Sequence, residues 1–192
     1  MPRGYAPFGI QEINGLLYVT YALQDAAKHD DVPGPGRGFV DIFTTDGLFV
    51  KRLVSRGVLN APWGLAQAPA GFGSFGGDLL VGNFGNGRIN AFNPITGHFA
   101  GTLSSAHGKP ISIDGLWGLH FGTVTTGGTN MLLFSAGPNN ENDGLIGLIN
   151  PAEQRGHAGV TAGTVLWCVL GAAMRGNSSQ LQVDNLFSST YS

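Results

Sequence analysis

Pro62-Trp63-Gly64-Leu65-Ala66 decides the fold, because its core returns elsewhere in the chain. Leu116-Trp117-Gly118-Leu119 repeats the Trp-Gly-Leu step, with Trp63 and Trp117 standing 54 residues apart. Pro7-Phe8-Gly9-Ile10 is a third, more diverged copy, with Pro7 and Pro62 separated by 55. Self-similarity at a fixed period is the mark of a repeat architecture, and each copy must then be one supersecondary unit.

The units align beyond this opening strand. A second apolar strand follows in each: Leu16-Leu17-Tyr18-Val19-Thr20-Tyr21, Leu79-Leu80-Val81-Gly82-Asn83 and Met131-Leu132-Leu133-Phe134-Ser135. A third strand runs Gly38 to Phe43, Gly87 to Phe92 and Gly144 to Ile149. The first two of these alternate apolar and polar residues, the pattern of a half-buried antiparallel strand. Asp46-Gly47 and Thr96-Gly97 supply turn chemistry and lead into fourth strands at Leu48 to Leu53 and His98 to Leu103. The third copy shows no clear fourth strand.

Four short strands per unit at a period near 50 predict an all-β fold, a β-propeller fragment of about three four-stranded blades. The blades span about 5–55, 56–105 and 106–150, the last incomplete, and 151–192 is a divergent C-terminal tail. A β-sandwich is the competing architecture, but it would not require Trp-Gly-Leu at the same point of each unit. Closed propellers have about four to eight blades. Three therefore read as a fragment, a truncated product or half of an assembly. Open sheet edges and an exposed inter-blade face invite self-association, and two three-bladed halves would make a six-bladed ring.

Composition agrees. The 32 glycines exceed the roughly 13 that average usage of about 7% would give, and no G-X-Y period accompanies them. They fit tight turns and close backbone approaches. A net charge of −2 without a basic run argues against nucleic acid as a partner. Cys168 is the single cysteine, so neither an internal disulfide nor a CxxC metal site is expected. The first residues, Met1-Pro2-Arg3-Gly4-Tyr5, show no signal peptide.

With these motifs on the page, residues from about Gly4 to Asn150 resemble the C-terminal half of a bacterial six-bladed, NHL-like propeller family. Its members are often secreted and often carry a PEP-CTERM sorting signal. The matching motifs include Tyr5-Ala6-Pro7-Phe8, Gln24-Asp25-Ala26-Ala27-Lys28-His29-Asp30-Asp31, Ala61-Pro62-Trp63-Gly64-Leu65-Ala66, Leu79-Leu80-Val81-Gly82-Asn83-Phe84-Gly85 and Asp114-Gly115-Leu116-Trp117-Gly118-Leu119. The resemblance implies the propeller and an extracytoplasmic setting, and no activity. It stops near Pro151, and no PEP-CTERM signal is present.

The tail is uncharged from Ala158 to Met174. At 17 residues this sits at the lower limit for a membrane helix, and its Gly and Thr content makes a poor helix start. An extra strand or a loosely packed helix is the preferred reading over a membrane span. Gly176 to Ser192 reads as frayed.

The resemblance implies that the loops joining second to third strands share one rim with those joining successive blades. The former are 22–37, 84–86 and 136–143; the latter are 55–61 and 104–115. The first is long for a hairpin and holds Asp25, His29, Asp30 and Asp31. Asp25, Asp30 and Asp31 are candidate ligands for a divalent cation such as Ca²⁺, although the spacing does not match an EF-hand. The alternative is a solvated loop with Asp-based turns. Asn139 and Asn140 in the third loop, Asn83, Asn86 and Arg88 around the second, and Asp114 before the third blade are further ligand-binding candidates. Phe8, Trp63 and Trp117 are read first as packing between blades. An aromatic wall around a glycan or other small molecule is the functional alternative.

No Ser-His-Asp order or paired-histidine metal motif occurs. The expected function is thus a non-catalytic binding or interaction module, with a small molecule, glycan or protein as partner. The alternative is a Ca²⁺-dependent propeller enzyme of lactonase, hydrolase or lyase type, gathering Asp25, Asp30, Asn83 and Asn139 around an ion.

Overall fold

Asn14 and Gly15 both take positive φ, 52° and 79°, the two-residue turn whose twist matches paired strands. They join strand β1 (Tyr5–Ile13) to β2 (Leu16–Leu23), and Ile13 pairs with Leu16. Every further strand in the unit adds next to its predecessor. The computed structural model describes residues 2–105, 107–126 and 128–151, and the backbone of 162–168. These residues form three antiparallel sheets, each a simple meander.

The first sheet continues with β3 (Gly38–Thr44) and β4 (Phe49–Ser55). The second holds β5 (Pro62–Gln67), β6 (Leu79–Asn83), β7 (Ile89–Phe92) and β8 (Phe99–Thr102). The third holds β9 (Leu116–Phe121), β10 (Leu132–Ala136), β11 (Leu145–Pro151) and β12 (Ala162–Cys168). A 3₁₀ turn at Gly73–Phe75 is the non-strand element among the described residues. The all-β class is therefore as expected.

The third sheet corrects the sequence reading. Its fourth strand exists but lies past the expected boundary at 150, where β12 pairs with β11 through Ile149–Val165 and Leu148–Leu166. It falls within 158–174, where an extra strand is one of the two preferred readings; its place in the third unit was hidden because residues 152–161 separate it from β11, whereas the other third-to-fourth connections are tight Gly turns. Residues 169–192, including the segment expected to fray, lie outside the described residues. No helix among the described residues is long and apolar enough to cross a membrane.

The sheets stack face to face in chain order. One core joins the first and second sheets through Tyr18, Val40, Ile42, Leu65, Leu79, Val81 and Phe92. A larger one joins the second and third through Leu80, Ile89, Ala91, Leu116, Leu119, Leu132 and Phe134. The second sheet is thereby covered on both sides, and every residue of β6 and β7 is buried. This corrects the half-buried reading of the third strands. The polar residues that make β3 and β7 alternate, Asp41 and Asn90, are themselves only 3% and 1% exposed. Each has a partner on the adjacent fourth strand, although Asn90 Nδ2 is buried without one. Arg52 Nε and Nη2 donate to the Asp41 carboxylate at 2.7 and 2.9 Å, and the Thr102 hydroxyl donates to Asn90 Oδ1 at 2.7 Å.

The first strands β1, β5 and β9 pack on one another in succession. Each carries a bulge or irregularity at its Phe/Trp-Gly step. That kink is where neighbouring sheets meet. A Cβ built on Gly9 would stand 2.4 Å from the Trp63 carbonyl oxygen, and one on Gly64 would stand 2.6 Å from that of Trp117. In the first two copies the repeated glycine is thus a close-approach residue, with no room for a side chain.

Candidate functional site

The expected sharing of one rim by the two sets of loops is visible as direct hydrogen bonds. Between the second sheet and its predecessor, Asn60 is the hub. Its Oδ1 accepts from Gly34 N at 2.6 Å, its carbonyl from Gly85 N at 3.1 Å, and its own N–H donates to Asn83 Oδ1 at 3.1 Å. Asn83 is fully buried and donates through Nδ2 to Val58 O at 2.8 Å and Asn86 Oδ1 at 3.2 Å. At the third sheet, Asp114 Oδ2 accepts from Asn139 N at 3.0 Å, and Gly137 N donates to Gly115 O at 2.8 Å. The loops 22–37, 55–61 and 84–86 are bonded to one another, as are 104–115 and 137–143, and the Ser112 hydroxyl joins the two sets by donating to Asn86 O at 2.9 Å.

Several predicted ligand residues serve this scaffold. Asn83 and Asn86 hold the second loop, Asn86 Oδ1 also accepting from Arg88 N at 3.2 Å. Arg88 itself is exposed. Asn139 and Asn140 take positive φ, 58° and 52°, as turn residues, so the turn reading of this loop holds for its backbone. Sequence reasoning missed Asn60. Its signal was an Asn just before the Ala-Pro-Trp opening, a position shared with neither other copy.

The three carboxylates proposed for a cation do not converge. Asp25 Oδ1 accepts from His29 N at 2.8 Å, closing the loop on itself. Asp30 instead faces His29, Nδ1 to Oδ1 at 3.2 Å, with both side chains exposed. No group of three His, Cys, Asp or Glu side chains among the described residues is arranged to hold a metal ion. Of the four groups expected around a catalytic ion, Asn83 is spent on the scaffold and Asp25 on its own loop.

Asp31 is different in kind. Its Oδ2 is buried without a hydrogen-bond partner. Burial raises its carboxyl above the ordinary value of 3.8; a bond from its own backbone opposes this, and the charges of Asp30 and Glu141 add to the rise. The influence of Glu141 brings the third loop into electrostatic range of the first. A folded-state pKa above the unfolded one means the native state binds more protons between the two values, so stability falls as pH rises through that window. Asp31→Asn should therefore raise the melting temperature at neutral pH and leave it unchanged well below the ordinary carboxylate pKa of about 3.9. Thermal melts of both proteins across that range are the check; equal melting temperatures throughout would refute it.

The aromatic residues fall into two groups. Phe8 and Trp63 pack ring on ring at 4.6 Å between centroids, and Phe84 stands 6.0 Å from each. Phe8 lies at the bulge of β1, Trp63 is the second residue of β5, and Phe84 lies in the second rim loop, so three elements meet here; all three side chains remain half-exposed. Trp117 behaves otherwise. Its Nε1 donates to Glu141 Oε1 at 2.8 Å and its ring lies against Gly137, tying it to its own loop. Packing between neighbouring units thus accounts for Phe8 and Trp63, whereas Trp117 packs within its unit. A groove of about 600 Å³ runs beside this cluster, lined by Phe8, Ile10, Leu17, Val19, Tyr21 and Phe43 among others.

No protein-family model matches the chain. It is 41% identical over 152 residues to an uncharacterized protein of Acanthamoeba polyphaga mimivirus, a match covering 78% of this chain and 36% of that protein. A second uncharacterized mimivirus protein is 40% identical over 150 residues, covering 77% of this chain and 38% of the relative. A third is 38% identical over 120 residues, 62% and 22% respectively. The chain spans under two fifths of the length of these relatives. They are viral proteins, and their names state neither a bacterial origin, nor a fold, nor an activity; they give the expected bacterial family no support.

Proposed function

We propose that the chain is a section of a β-propeller acting as a non-catalytic binding module. Its ligand is a small polar molecule of glycan type, seated on the rim against Phe8, Trp63 and Phe84. The propeller reading draws support from three sequential four-stranded meanders that stack face to face and meet through their first strands. The extracytoplasmic setting rests on the resemblance alone.

The observation that carries the ligand reading is the half-exposed aromatic trio. Three rings from three elements stay in contact, with exposed Asn86 two positions from Phe84 in the same loop and Tyr21 lining the groove beside Phe8 and Trp63. Apolar ring faces next to a few fixed polar groups are what a sugar ring needs, since it presents both C–H and O–H surfaces. Titrating the protein with a panel of mono- and oligosaccharides should change tryptophan emission for at least one of them. Trp63→Ala should abolish that response with the melting temperature largely kept. A panel that leaves emission unmoved would refute the reading.

A further inference from the structure

We infer that Asn14 is a site of self-modification. Its side-chain amide closes onto the backbone nitrogen of Gly15, with Glu12 as the base, and water opens the ring to leave aspartate or isoaspartate. The inference rests on the first hairpin alone and is independent of the ligand and of the propeller reading.

The chain holds two Asn-Gly steps, Asn14-Gly15 and Asn86-Gly87. In such a step the missing Cβ leaves the glycine nitrogen free to approach the preceding side chain. The dipeptide ranks the two alike; their surroundings do not. Glu12, Asn14 and Gly15 are all exposed. A Cβ built on Gly15 would meet nothing within 4 Å, so the turn has room to rearrange. The Asn14 amide has no hydrogen-bond partner among the described residues. The nucleophile already faces a base, since Gly15 N donates to Glu12 Oε1 at 2.5 Å.

Asn86 differs in each respect. Its Oδ1 accepts from Asn83 Nδ2 and from Arg88 N, both at 3.2 Å. Gly87 N donates to the Asn83 carbonyl at 2.9 Å, an acceptor that cannot serve as a base. A Cβ on Gly87 would stand 2.1 Å from Ile113 O, so the chain there has no room to swing into a ring.

At Asn14 the nitrogen of Gly15 bonds to Cγ while its proton passes to Glu12. Glu12 returns the proton to the amide nitrogen, the Cγ–N bond breaks, and ammonia leaves. One water then adds across either carbonyl of the cyclic imide. Opening at Cγ gives aspartate; opening at the main-chain carbonyl routes the backbone through Cγ and gives isoaspartate. Either product sets a second carboxylate close to Glu12. Isoaspartate also lengthens the two-residue turn that holds Ile13 against Leu16. Ile13 is 7% exposed and belongs to the core between the first and second sheets, so the change loosens that sheet from its first turn.

Warm incubation of the whole chain at neutral pH, followed by peptide mapping in a mass spectrometer, reads the exchange of amide for carboxyl at each asparagine. Asn14 should convert first, with isoaspartate among the products, while Asn86 stays intact over the same time. Glu12→Gln, at an exposed position that leaves the fold in place, should slow the conversion about tenfold. An exposed base gives less than the roughly 10²–10⁴-fold typical of a positioned one. In concentrated urea both sites lose their folded surroundings, so they should react at similar rates and Glu12→Gln should have little effect. A folded chain that converts Asn86 as fast as Asn14 would overturn the inference. So would an Asn14 that stays intact while the urea-unfolded chain converts, or a Glu12→Gln variant that keeps the parent rate.

Discussion

Gly64→Ala should lower the unfolding free energy by about 3 kcal/mol, the upper part of the usual range for forcing a methyl group into a packed core. The added Cβ would stand 2.6 Å from the Trp117 carbonyl oxygen, 2.9 Å from Leu119 Cγ and 3.1 Å from Leu119 N. Two of these are backbone atoms of the next sheet, which cannot swing aside as a flexible side chain would. Relief requires the sheets to part where β5 crosses β9. In a chain of this size the loss corresponds to roughly 6–12 °C in melting temperature, at about 2–4 °C per kcal/mol. Gly118→Ala is the internal control, because its Cβ meets only Ser135 Oγ at 3.1 Å. It should cost the chain little. Denaturant melts of both variants decide the matter; equal losses would mean that the glycine serves strand geometry and not sheet stacking.

Arg52→Ala should cost a further comparable amount, about 3 kcal/mol, the low end for removing one partner of a buried pair. Asp41 has a side-chain exposure of 4% and Arg52 of 29%, so the loss strands a carboxylate whose partner reaches partly into solvent. The guanidinium also lies 4.4 Å over the Phe39 ring, and that contact goes with it. The second sheet holds the neutral pair Asn90–Thr102 at the same register. Transplanting it as Asp41→Asn with Arg52→Thr should recover part of the loss, about 1–2 kcal/mol, since a neutral pair needs no counter-charge but leaves one amide N–H without a partner, as at Asn90. Chemical denaturation of the single and double variants is the measurement. A double variant no better than Arg52→Ala alone would show that the charge itself is required.

Eleven of the strands were legible because the Trp-Gly-Leu period and the Gly turns are local signals. Asp46-Gly47 and Thr96-Gly97 do turn the chain, with Gly47 and Gly97 at φ of 82° and 71°. The burial of Asp41 and Asn90 was not legible. Alternation along β3 and β7 shows where side chains point, not what covers the polar side, which is Arg52 over Asp41 and the first sheet over Asn90. β12 was expected only as an extra strand or a helix within 158–174, and its pairing to β11 was not legible because it spans an insertion that no periodicity bridges. Among site residues, the loops were placed on one rim by resemblance, but the roles of Asn60 and Asn83 follow from bonds between segments more than 20 residues apart.

The amino-acid sequence by itself determined the repeating unit with its strands and turns, because these depend on residues near one another in the chain. Only the tertiary structure decided which faces are covered. Leu65 and Ile10 are equivalent apolar residues in equivalent strands, yet one is 3% exposed and the other 65%. The difference lies in whether another sheet stands in front, and that is set by the order of stacking, which no single repeat contains.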